Sequence, residues 1–172
     1  SAGAGSAGGG SGSGGGTTEP PGPVDKTACM VGAGSGKTLY VTPTGSSTGD
    51  GVSYASAYDV ATAIAKAAPG DTLLLQAGKY AIPYVEGAKN TLVLAQKGAA
   101  DKRIRIVADG GRAEFDFSFP EQAWVQDSFG FLLSGSYWSL CGVDITRAGY
   151  QGAYVTGEHN TFENCSFHDN RN

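Results

Sequence analysis

The chain has 172 residues and a formal net charge of −4, with 28 glycines and a charged fraction of 16%. That length suits one domain, and the acidic balance excludes a basic nucleic-acid footprint. No apolar run approaches the roughly 18 to 20 residues of a membrane span, and glycine, at more than twice its usual share of about 7%, follows no collagen-like three-residue period. Low charge with abundant Gly, Ser, Thr and Asn favours a turn-rich β protein. The chain opens at Ser1 with no charged or apolar leader. Residues 1–16 hold only Gly, Ala and Ser, which bury no apolar area, and TTEPPGPV (17–24) continues them as a stiffer spacer. The stretch 1–38 is therefore expected to be a Gly/Ser/Pro-rich flexible linker, able to tether a domain to a cell surface or another module. Within it GAGSGKT (32–38) imitates a phosphate-binding loop, but that pattern needs glycine where Val31 stands, and no strand runs in and no helix runs out.

The folded part is expected from Leu39, in LYVTP (39–43), followed by the polar turn cluster TGSSTGDG (44–51). AYDVATAIAKAA (57–68) is the one helical stretch, with Val60, Ile64 and Ala67 or Ala68 on one face, and Pro69-Gly70 stops it. From there the pattern has period two. DTLLLQAGKY (71–80), NTLVLAQKG (90–98), KRIRIVADG (102–110) and AEFDFSF (113–119) read as strands between turns.

An internal repeat selects the architecture. Residues 131–149 laid over 153–171 put Leu133 over Val155, Gly135 over Gly157, Leu140 over Phe162, Val143 over Cys165 and Ile145 over Phe167. A sandwich repeats strands but not registers, whereas a 22-residue period fits one coil of a parallel β-helix. The expected fold is all-β: a right-handed parallel β-helix over 39–172, with about 22 residues per coil and four to five coils after residue 71. Helix 57–68 then caps the open first coil. The chain stops at Asn172 directly after HDNRN, with nothing to close the solenoid, and reads as a fragment truncated at its C-terminus.

In GAYVTG, Ala153 and Val155 should point inward, and Tyr154 and Thr156 outward. The turns beside this strand supply Arg147, Tyr150 and Gln151, and one coil later His168, Asp169 and Arg171. These eight residues are the candidate lining of a groove for an anionic sugar chain, and the same residues also read as ordinary solvated turns. Lys66, Lys79, Lys89, Lys97 and Lys102 accompany no carboxylate cluster and read as solvated charges. Asp109, Asp116 and Asp144 are dispersed, His159 and His168 show no zinc-like spacing, and no metal site is expected within the chain. Of the three cysteines, Cys165 should be a buried thiol, while Cys29 could pair with Cys141 or with nothing.

PGDTLLLQAGKY (69–80) is similar to the first coil of bacterial β-helix polysaccharide enzymes. More specifically, residues 135–170 resemble family 9 polysaccharide lyases, the pectate lyases. The matching positions are Gly135, Tyr137, Trp138, Gly142, Tyr154 and the run N-T-x-E-N-C-x-x-H-D-N at Asn160, Thr161, Glu163, Asn164, Cys165, His168, Asp169 and Asn170. Gln151 stands where Asn is usual, and Ala153 where a larger apolar residue is common. The resemblance implies a secreted enzyme that cleaves polygalacturonate by β-elimination, with a lysine base and calcium held by an Asp cluster. In that family both lie on coils C-terminal to H-D-N, so no catalytic residue is carried over and the site is expected beyond Asn172. A complete protein of this kind is expected to be monomeric. Two other readings stand beside it: a non-catalytic β-solenoid for carbohydrate binding or surface adhesion, and a β-helix lyase for another uronate polysaccharide.

Overall fold

The computed structural model describes residues 23–32 and 36–171. The start of the expected linker and the middle of the GAGSGKT segment, 33–35, lie outside the described residues. The elements in chain order are α1 (Lys26–Cys29), β1 (Thr38–Val41), a 3-10 turn (Tyr54–Ser56), α2 (Val60–Lys66), β2 (Thr72–Ala81), β3 (Leu92–Leu94), β4 (Ile104–Asp116), β5 (Phe131–Leu133), β6 (Trp138–Cys141), β7 (Val143–Thr146), β8 (Ala153–Val155), β9 (Thr161–Glu163) and β10 (Ser166–His168). Every ladder is parallel, and strands from successive turns of the chain stack on one another. Three faces result. The first is β1, the first half of β2, the first half of β4, β6 and β9. The second is the later halves of β2 and β4 with β7 and β10, and the third is β3, β5 and β8.

The 22-residue period holds where it was read: Leu133 pairs with Val155, Leu140 with Phe162 and Ile145 with Phe167. Earlier turns are longer, since Leu73 pairs with Ile106 and Leu92 with Phe131. The extra residues lie in the segments 82–91 and 117–130, both at the corner between the second and third faces, in the connection 95–103, and in the bulge at 110–112. Fewer coils therefore follow residue 71 than a uniform period would give. The core is a set of stacked columns. Leu73, Ile106 and Leu140 form one, Tyr80, Phe115 and Ile145 another, and all are buried. Sharp corners between the first two faces need left-handed backbone, supplied by Gly142 (φ 75°) and, stacked beneath it, Asn164 (φ 47°).

Helix α2 covers the first coil as expected but is shorter than 57–68. Asp59 caps it by accepting from Thr62 N at 2.7 Å, and Ala67 is already extended. Ala57 and Tyr58 instead continue the β edge, where Tyr58 N donates to Tyr40 O at 3.0 Å. Val60, Ala63 and Ile64 face the core, and Gln96 Nε2 donates to the Ile64 carbonyl at 2.7 Å, pinning the helix to the third face.

The lead-in read as flexible linker is partly folded. Tyr40, Leu74, Val107 and Cys141 form a column pointing out of the first face, where polar side chains would be usual. That apolar column needs a cover, and residues 23–32 provide it. Asp25 caps α1, Val24 and Met30 pack on the column, and Cys29 forms a disulfide with Cys141. Lys26 Nζ reaches Asp109 at 2.6 Å, and Arg105 Nη2 donates to the Gly32 carbonyl at 2.6 Å.

Candidate functional site

The eight candidate groove residues do not converge on one groove; the turn 147–152 divides them. On the second face the outward columns are Lys79, Glu114, Asp144 and Ser166, and beside them Ala81, Asp116, Thr146 and His168. Arg147 leans back over this face. Its Nε donates to Asp116 Oδ1 at 2.7 Å, its Nη2 bonds Oδ2, and Lys79 Nζ approaches the same oxygen at 2.5 Å. Burial alone would raise the Asp116 carboxyl, but Arg147, Lys79 and the Ser118 N–H together hold it well below the usual carboxylate range. Asp144 is likewise gripped by Arg112, whose guanidinium also reaches Asn164. His168 Nδ1 lies 2.8 Å from Asp169 Oδ2 at the exposed end of the face.

Tyr150 and Tyr154 lie on the other side of that turn, against the third face. Tyr154 stacks on Phe129 with centroids 4.6 Å apart and an 11° interplanar angle. Phe129 leans on Tyr150 at 5.9 Å, and Tyr150 lies beneath Trp124 at 6.0 Å and 27°. Trp124 is 60% exposed and Tyr154 45%. Gln151 and Thr156 act through their backbones, bonding Gly130 N and Leu133 O. Arg171 folds inward, with its backbone N–H on the Ala148 and Tyr150 carbonyls and its guanidinium on Phe119 O. Sequence reasoning missed Trp124, Phe129 and Arg112, and it set aside Lys79, Asp116 and Asp144 as solvated or dispersed charges, whereas Lys79 lies beside Glu114 and Asp116, and Asp144 pairs with Arg112. The signal for Lys79 and Asp116 was the register of GKYA over AEFD, hidden by the longer early coils. For Trp124 it was a lone aromatic within the polar insertion EQAWVQD.

A family model described as the Pel9A-like right-handed β-helix region matches residues 39–172. The chain belongs to this family. It is 49% identical over 142 residues to pectate lyase L of Dickeya chrysanthemi and 47% identical to that of Dickeya dadantii, matches covering 82% of this chain and 33% of each relative. Pectate lyase L of Thermoclostridium stercorarium is 34% identical over 140 residues, 78% of this chain and 10% of the relative. The crystal structure of pectate lyase Pel9A superposes with a TM-score of 0.79 at 45% identity, over 86% of this chain and 38% of that one. The chain thus spans about a third or less of these relatives' length. A rhamnogalacturonan lyase, at 22% identity and a TM-score of 0.61, shares the fold. Among the described residues no helix is long and apolar enough to cross a membrane.

Most of the Pel9A-like motif serves the coils. Asn160 Oδ1 accepts from Trp138 N at 2.9 Å, and its Nδ2 donates to Gly135 O at 3.0 Å. Asn170 repeats this one face on, with Ala148 N at 2.9 Å and Ile145 O at 3.3 Å. Each amide thus binds an N–H and a carbonyl of the preceding coil at a corner where strand pairing is interrupted. Asn164 makes the left-handed corner. Cys165 follows it in register beneath Val143, half-buried, and burial pushes its thiol up. A calcium ion would need roughly six to eight oxygen ligands. Among the described residues no three acidic, His or Cys side chains converge, and the best-placed carboxylates, Asp116 and Asp144, are neutralised by arginines. The described residues do not fit a calcium site.

Proposed function

We propose that this chain forms the leading coils of a secreted pectate lyase that cleaves polygalacturonate by calcium-assisted β-elimination. A base removes the proton α to the uronate carboxylate, the glycosidic bond breaks on the β side, and a cation beside the carboxylate stabilises the developing enolate. The observation that carries the reading is the close identity to pectate lyase L across four-fifths of the chain. The resemblance to family 9 polysaccharide lyases is what assigns the base and calcium ligands to coils beyond Asn172. The Cys29–Cys141 disulfide supports export, because such bonds persist in oxidising compartments. The partner is an acidic plant-type polysaccharide, and the complete protein acts as a monomer.

The test compares the 172-residue chain with the same chain extended by the further coils of its gene, assaying unsaturated product from polygalacturonate with calcium or chelator. Product is expected only from the extended protein and only with calcium. Calcium-dependent product from the chain alone would move the site into these coils, and an inactive extended protein would sink the lyase reading.

A further inference from the structure

The first face's outward apolar column is covered by residues 23–32, whereas the third face carries one that no strap covers among the described residues. Val93, Leu132 and Tyr154 are register partners on adjacent strands and form an apolar column along the solenoid axis. Strands about 4.8 Å apart make this column about 10 Å long, on the scale of a disaccharide. Beside it lies a depression of about 390 Å³ with a floor of Val93, Leu132 and Phe129 and a wall of Lys89, Thr91 and Asp127. An apolar floor with a few convergent polar groups is the usual make-up of a small-ligand site, and this volume is within its usual range. Thr91 Oγ1 has no hydrogen-bond partner among the described residues. Lys89 and Asp127 are half-exposed, and their 3.5 Å separation makes a loose pair that a ligand can rearrange at small cost.

Further aromatic rings adjoin this floor through Phe129. Tyr154 lies flat on buried Phe129, and Trp124 lies nearly parallel on Tyr150. The insertion carrying Trp124 is held by its own turn, with Ala123 N on Pro120 O and Val125 N on Gly149 O at 2.9 Å. Tyr154 and Trp124 thus present exposed aromatic faces whose orientation is set by the rings they stack on. A pyranose ring has the complementary chemistry: a flat C–H face for the aromatics and a polar rim for Lys89, Thr91 and Asp127.

We propose that this depression, continued by the ring contacts of Phe129 with Tyr154 and, through Tyr150, with Trp124, is a sugar-binding subsite that holds galacturonate units of the polysaccharide away from the reaction centre. Lys89 meets the uronate carboxylate. The inference rests on the pectate reading for the identity of the sugar.

The test is a tryptophan-fluorescence titration of the 172-residue chain with trigalacturonate and with neutral galactotriose. Trp138 is fully buried, with Nε1 on Gln96 O at 2.8 Å, so a change in emission reports Trp124. Trigalacturonate should give a saturable change, and Tyr154→Ala should weaken it about tenfold. Lys89→Gln should remove the preference for the uronate over the neutral sugar. Both sites are exposed, and circular dichroism checks that the variants stay folded. No saturable change, or wild-type affinity in Tyr154→Ala, would overturn the subsite. So would a Trp124→Ala variant whose only effect, in sedimentation, is loss of self-association. Assaying the extended protein on polygalacturonate separates the two ideas. Product without binding here sinks the subsite alone, while binding here without product sinks the lyase reading alone.

Discussion

Asp116 carries the densest charge on the second face, and its chemistry predicts an acid-sensitive contribution to stability. Its side chain is buried, while Arg147 and Lys79 remain partly in water. Because its folded carboxyl titrates below the unfolded value of about 3.9, its stabilisation is fully present above about pH 4 and is lost as pH falls through the folded value. Asp116→Asn should therefore cost about 1–3 kcal/mol in urea melts near neutrality, a range kept low because both cations face solvent. The gap to wild type should shrink below about pH 4, and a gap that stays constant through acid would refute this assignment. Asn160 offers a second residue-scale test. Asn160→Ala strands the Trp138 N–H and the Gly135 carbonyl at a half-buried corner and should cost about 1–3 kcal/mol by thermal or urea melt. Wild-type stability would mean that water replaces the amide. The sequence showed Asn160 as part of a family motif, and only its place above Trp138 reveals what it does.

The segment 23–32 acts as a strap over the column Tyr40, Leu74, Val107 and Cys141, and the disulfide closes a sequence separation of 112 residues. Cys29→Ser should lower stability by about 2–5 kcal/mol and make 23–32 the first site of proteolytic cutting, measured by melt and limited digestion. Unchanged proteolysis would show that Lys26 and Val24 suffice to hold the strap. The strands and the late register were legible because period-two alternation and a strict 22-residue offset both survive in the sequence. The strap was not, for two reasons. Low-complexity composition dominated its neighbourhood, and cysteine counting cannot assign pairs. A signal did exist: Leu74 in TLLLQ and Val107 in RIRIVA break the apolar-in, polar-out alternation, so an outward apolar column had to be covered. Helix α2 was overextended because alanines favour a helix on both sides of Asp59, and the cap set the true start. The candidate groove was misassembled because the longer connections at 82–91 and 95–103 and the bulge at 110–112 break the offset that would have aligned Lys79 with Glu114 and Ala81 with Asp116.

At the scale of the molecule the column Tyr80, Phe115, Ile145 and Phe167 runs from a capped end to an open one. Ile145 is fully buried, whereas Phe167, in the same column, is 44% exposed, as is Val155 beneath buried Leu133. The difference is position along the stack: among the described residues nothing covers β8, β9 and β10, so their edges and apolar faces meet solvent. Such an edge templates pairing with another chain. The 172-residue chain should therefore self-associate with rising concentration in sedimentation velocity. The same substitution at two levels of the column then separates core from edge. Ile145→Asp buries an unpaired charge and should unfold the chain, a cost of several kcal/mol. Phe167→Asp places that charge in solvent, so it should leave the melt nearly unchanged while dispersing the associated species. Equal melts for the two variants would refute the stacking register, and a wild-type chain that stays monomeric at every concentration would refute the open edge. If both outcomes hold, apolar side chains on the last coil are interior residues lacking a neighbour, and a further coil in register would bury them as β10 helps bury Ile145.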